Sequence, residues 1–205
     1  MSLQPENSFA HTPDTSSVAA PEGNEFSPEE RSLLLKLAHD AIETALAGRE
    51  LPLVSPSAHL SEPRGAFTTL YHHGQLRGCV GYVFPVTPLY QTVAETARAS
   101  AFEDLRFSPV TREEAPDLEI SLSILSRLAP IEPDKVEVGR HGLLVNLGGR
   151  RGLLLPQVPV EHGWDRITFL EQTCRKAGLS PDAWKKGATF EAFTAEVFGD
   201  GPSVR

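Results

Sequence analysis

The spacing of apolar side chains changes period several times along the chain. Leu33, Leu34, Leu37, Ala38, Ala41, Ile42, Ala45 and Leu46 recur at i, i+1, i+4 and i+5, which lines one face of a helix. Ser27, Pro28 and Glu30 stand in front of that stripe as N-cap, first helical residue and far half of a capping box, and Gly48 ends it. "GAFTTLYHHGQLRGCVGYV" (residues 65–83) reads as two strands about a turn at His72-His73-Gly74. Thr87 and Pro88 open a second helix with Leu89, Tyr90, Val93, Ala94, Ala97 and Ala101 along one side. "LEISLSIL" alternates Ile120, Leu122 and Ile124 with Ser121 and Ser123, the period of a strand. "GLLVNLGGRRGLLLP" predicts a hairpin about Gly148-Gly149-Arg150-Arg151. A third helix is expected from about Asp165, with Ile167, Leu170, Cys174 and Ala177 on one face before Gly178. Ser180 caps a short turn through Trp184, and "TFEAFTAEVF" closes the chain as one strand. Hairpins and about three main helices without regular βαβ alternation make the fold class α+β.

Composition narrows the function classes. The chain has 205 residues, 40% hydrophobic and 22% charged, enough for one domain with a real core. A net charge of −8 with no basic stripe argues against nucleic acid and against an anionic membrane surface. No apolar run approaches the roughly 20 residues of a membrane span. Residues 1–26 carry Glu6, Asp14, Glu22 and Glu25 and no Lys or Arg, so a signal peptide is not expected. They read as a disordered acidic tail before a single domain over 27–205, in a protein of the cytoplasm.

The chemistry centres on "QLRGCVGYV" (75–83), which holds one of only two cysteines. In a strand, Arg77, Cys79 and Gly81 share a face, which would put a guanidinium beside a thiol and favour its thiolate. Gly78 and Gly81 lack a Cβ, so a ligand or another backbone can approach closely. A buried structural cysteine flanked by packing glycines remains open as the other reading. Cys174, in the third helix's apolar stripe, belongs to the core. Glu119 opens an otherwise apolar strand and needs an edge or a partner, with Arg77 and Arg106 in view. Gln157, after Pro156, could present its amide to a pocket. Asp104 and Arg106 read as a structural ion pair or cap, and Trp164 as a packing anchor. The candidate bases for a thiol are His72, His73, His141 and His162. No metal is expected: the seven histidines lack H-x-x-H spacing, and His72 and His73, as strand neighbours, should point apart. "GGRRG" lacks the Lys-Ser/Thr and following helix of a phosphate loop.

"GAFTTL", "LRGCVG", "LRFSPV", "EISLSIL", "HGLLV", "GLLLPQV", "GWD", "FLEQTCRKAGL", "DAW" and "AEVF" follow one another in an order that resembles AMMECR-type domains, the AmmeMemoRadiSam system protein A family. The resemblance spans about residues 27–200. It implies an α+β fold of two unequal lobes around a cleft, with the LRGC segment near that cleft. Because His141 belongs to a family block, it is the favoured base among the histidines. One local departure is Asp104-Leu105-Arg106-Phe107, where the family has Asp-Pro-Arg-Phe. The resemblance also implies a Memo-type protein and a radical S-adenosylmethionine (SAM) protein as partners. It carries no known activity.

Two readings follow. In one, the protein is a component of that three-part system and its cleft acts on or binds a small molecule. Cys79, Arg77 and His141 would then be catalytic, and Gly78, Gly81, Glu119 and Gln157 would line the substrate. In the other, it is a non-catalytic binding or adaptor module in which Cys79 is structural. With no cofactor motif of its own, the chain would rely on the radical SAM partner for difficult redox chemistry.

Overall fold

A computed structural model describes residues 25–201. Residues 1–24, most of the expected tail, lie outside this range. Glu25 and Phe26 do not belong to a tail: Phe26 is 2% exposed, stacks on the His59 ring, and packs in the main core. The folded part therefore includes at least these two residues, which the charge pattern assigns to the tail.

Helix α1 (Pro28–Leu46) starts with the expected capping box, in which Ser27 Oγ accepts from Glu30 N–H and Glu30 Oε2 accepts from Ser27 N–H. It buries Leu34, Ala38, Ala41 and Ile42, while Leu33 stays at the solvent edge. Strands β1 (Ala66–His72) and β2 (Gln75–Tyr82) form the predicted hairpin. Helix α2 (Leu89–Phe102) lies on both strands and against α1. Its buried face is mostly small, with Ala94, Ala97, Ser100 and Ala101, so it sits close to the sheet. Strand β3 (Leu118–Leu125) pairs with β1.

At Ser126 the chain leaves this sheet and builds a second one. Strands β4 (Ala129–Pro130), β5 (Gly142–Leu147) and β6 (Arg150–Leu154) are followed by α3 (Gln157–Glu161) and α4 (Arg166–Lys176). The β5–β6 hairpin turns on Gly148 and Gly149 alone, and both arginines enter β6. Five-residue α3 is absent from the sequence pattern because Pro159 interrupts it. In so short a helix that missing N–H has no intrahelical partner to lose. In α4 the buried face is Phe169, Leu170, Thr173 and Cys174, and Ile167 is left exposed.

The closing segment is two strands, not one. Strand β7 (Thr189–Phe193) pairs with β4 and β5, and β8 (Ala195–Gly199) crosses into the first sheet beside β3. The two antiparallel sheets have strand orders β2-β1-β3-β8 and β4-β7-β5-β6. Each has its own core, the larger around Leu34, Leu70, Val93 and Ile120 and the smaller around Leu143, Phe169, Leu170 and Phe190. The α+β class is as expected. The second sheet and its helices are an insertion between the neighbouring strands β3 and β8.

Candidate functional site: the Cys79 row

Cys79 lies on β2, an edge strand, on the face turned away from α2. The opposite face carries Gly78, where an added Cβ would stand 2.1 Å from the Ser100 carbonyl oxygen. Strand register puts Cys79 opposite Thr69, Thr69 opposite Ser121, and Ser121 opposite Gly199. One row across four strands therefore carries a thiol and two hydroxyls. Thr69 Oγ1 donates to Cys79 Sγ at 3.2 Å. The β2 edge is closed at this point by the turn after α2. There, Cys79 N–H donates to Asp104 Oδ2 at 2.9 Å, and Arg106 Nη2 donates to the Cys79 carbonyl at 3.3 Å. Arg106 also holds both Asp104 oxygens, through Nε at 2.9 Å and Nη2 at 2.7 Å. That ion pair, with the two backbone N–H donors from Cys79 and Arg106, keeps the Asp104 carboxyl far below the usual carboxylate range.

The guanidinium beside Cys79 is Arg106, not Arg77. Leu70 pairs with Gly78 and Tyr71 with Leu76, so Arg77 is the extra residue of a bulge, and the simple alternation that would set it beside Cys79 is broken. Arg77 grips Glu114 with two bonds, at 2.9 and 3.0 Å, and donates to the carbonyls of Ser108 and Pro109. It holds the 108–114 segment in place. The Arg77 bonds and the Thr111 N–H pull the Glu114 carboxyl down from 4.5 to about 2.

The other sequence candidates are dispersed. The space left by Gly78 is filled by the Ser100 backbone, and that left by Gly81 by the Phe67 ring, 2.1 Å from an added Cβ. Glu119 sits on β3 opposite Tyr71 and close against Gly201. Gln157 is exposed at the start of α3. His162 stacks on Trp164, which packs against the smaller core. Cys174 is fully buried, and burial pushes its thiol pKa up.

His141 lies elsewhere. Its Nδ1 accepts from the Glu137 N–H at 3.0 Å, and burial, helped by the Arg140 charge, lowers its pKa. It lines a cavity of about 960 Å³ together with His59, Arg64, Leu128, Ile131 and Phe193, a lining to which Cys79 does not contribute. Among the described residues no histidine hydrogen-bonds Cys79 Sγ. His72 and His73 do not point apart as strand neighbours would. Strand β1 ends at His72, His73 adopts φ +51°, and the two rings lie 4.0 Å apart.

Sequence reasoning found Cys79 and the Asp104–Arg106 pair but missed Thr69, Ser121 and the place of Arg106. The available signal was alternation in β3, where Ser121 is a polar position set against the apolar face of Ile120, Leu122 and Ile124; Thr69 carried no such signal, because β1 has a threonine on each face.

No helix among the described residues is long and apolar enough to cross a membrane. The AMMECR1 family model matches residues 35–198. A protein of Methanosarcina acetivorans is 43% identical over 185 residues, which is 82% of this chain and 90% of that one. A protein of Methanopyrus kandleri is 41% identical over 188 residues, 86% of this chain and 91% of that one. The crystal structure of an uncharacterized protein from Pyrococcus horikoshii aligns with a TM-score of 0.65 at 42% identity, covering 82% of this chain and 90% of that one. With the family pattern running through both sheets and including the Cys79 strand, the chain belongs to the AMMECR1 family.

Proposed function

We propose that the protein handles a small molecule at the Cys79 row, as a cytoplasmic component working with a Memo-type protein and a radical SAM protein. Cys79 is the reactive or ligand-contacting thiol. Thr69 orients it, and Arg106, rather than Arg77, is the guanidinium that steadies the anionic part of the ligand. Arg77 itself is a positioning residue. The observation that carries this reading is the fixing of Cys79 on three sides: N–H by Asp104, carbonyl by Arg106 and sulfur by Thr69. A packing cysteine such as Cys174 has no need of that arrangement. Cys79 is a half-buried residue on an edge strand, whereas Cys174 is sealed in a core.

Iodoacetamide at neutral pH tests the thiol: Cys79 is expected to be alkylated well before Cys174. Cys79→Ala should leave the melting temperature nearly unchanged and abolish turnover by the three proteins together. A stability loss of roughly 1–3 kcal/mol with slow alkylation would make Cys79 structural. Co-purification of the chain with its two partners tests the company it keeps.

A second reading, a docking module, is favoured by one residue. Leu105, in the turn that closes the Cys79 edge, is 99% exposed. Leu105→Asp separates the two readings: loss of partner capture with alkylation of Cys79 intact would support docking alone.

A further inference from the structure

We infer a transition-metal site, suited to Zn²⁺, at the tip of the β1–β2 hairpin, formed by His72, His73 and Asp117. The site is independent of the Cys79 row. Its origin is backbone geometry. His73 and Gly74 both take positive φ, +51° and +75°, as a two-residue hairpin turn requires. A left-handed backbone at His73 turns its imidazole to the same side as that of His72. The β1–β3 register then supplies the third group. His72 pairs with Leu118, so the preceding residue on β3's side, Asp117, comes level with His73. One ligand atom from each of the three residues lies within 4.8 Å of the others.

Tetrahedral zinc with bonds of about 2.1 Å needs its donors roughly 3.4 Å apart. Side-chain rotation can close that difference, because His73 and Asp117 are exposed and His72 is only half-buried. Two imidazoles and one carboxylate favour a borderline metal over Mg²⁺ or Ca²⁺, which prefer all-oxygen sets. Glu114, next along the same segment, is not a fourth ligand because Arg77 occupies both its oxygens. Solvent completes the coordination. A bound ion would clip the hairpin tip to the segment entering β3.

The test uses the full chain without a histidine tag, titrated with Zn²⁺ against a chromophoric chelator. One ion per chain is expected. His72→Ala, His73→Asn and Asp117→Asn should each weaken binding tenfold or more, while His11→Ala and His162→Ala leave it unchanged. His73→Asn is chosen because asparagine accepts the left-handed backbone, so the turn survives. Zn²⁺ should also raise the melting temperature of the natural chain and not that of the folded His73→Asn variant. Zinc affinity indifferent to Asp117→Asn and His72→Ala, or no binding at all, would overturn the site.

Discussion

Ser126 and Thr194 bind each other twice. The Ser126 N–H donates to the Thr194 carbonyl, and the Thr194 N–H donates to Ser126 Oγ, both at 2.9 Å. These are the residues at which the chain leaves the first sheet and returns to it. Ser126→Ala removes the side-chain bond and leaves a half-buried amide without its partner. It should cost about 1 kcal/mol in urea unfolding and speed hydrogen exchange at the Thr194 amide. Unchanged exchange would mean that other contacts hold the junction.

Gly78→Ala should be among the most damaging substitutions in the protein. The new Cβ would stand 2.1 Å from the Ser100 carbonyl oxygen, and backbone on both sides leaves no flexible atom to yield. A loss of about 3 kcal/mol or more is expected from chemical denaturation. A variant as stable as the natural chain would show that α2 can lift from β2 at little cost.

Glu114 gives the fold an acid-sensitive clamp. Its carboxyl is held at about 2, against 4.5 ordinarily, by Arg77 and the Thr111 N–H. A depressed carboxylate pKa stabilises the native state above the unfolded value, and the contribution is lost as pH falls through the folded one. The affected window therefore runs from about 4.5 down to about 2. Glu114→Gln should lower stability at neutral pH and flatten the acid limb of the stability curve in that window. Parallel curves for the two proteins would exclude the clamp.

Phe26 belongs to the folded core, ahead of the first helix. It is 2% exposed in the main core, and the adjoining Glu25 pairs with the buried Arg64. Phe26→Ala should cost about 3–5 kcal/mol. A chain beginning at Glu25 should melt with the full protein, and one beginning at Ser27 many degrees lower. Equal melting of all three would return the boundary to residue 26.

Much of the fold could be read from periodicity. The α1 cap, the β1–β2 turn and the Ser121/Ser123 alternation are local features, and local features are what sequence carries. The β7–β8 division was not visible, since Phe193 and Ala195 flank Thr194 without a breaker, and the switch between sheets is decided by pairing with distant strands. The site was legible to the same degree. Cys79 stood out by its setting, but the arginine beside it is fixed by a bulge at Arg77 that no alternation rule contains. His141 could be placed on a motif, not in space.

The insertion between β3 and β8 bears on how the chain reaches its native state. Pairing these strands means closing a loop whose ends, Ser126 and Thr194, are 68 positions apart. For a flexible chain that closure is an entropic barrier that grows with the logarithm of loop length. Once the β4–β7 unit has collapsed around Phe169 and Leu170, its two ends are already neighbours, and the effective loop shrinks to a single hydrogen-bonded step. The inserted unit is then a scaffold for closure: β8 should join the first sheet last, and mutations that slow the smaller core's formation should delay the edge of the larger one.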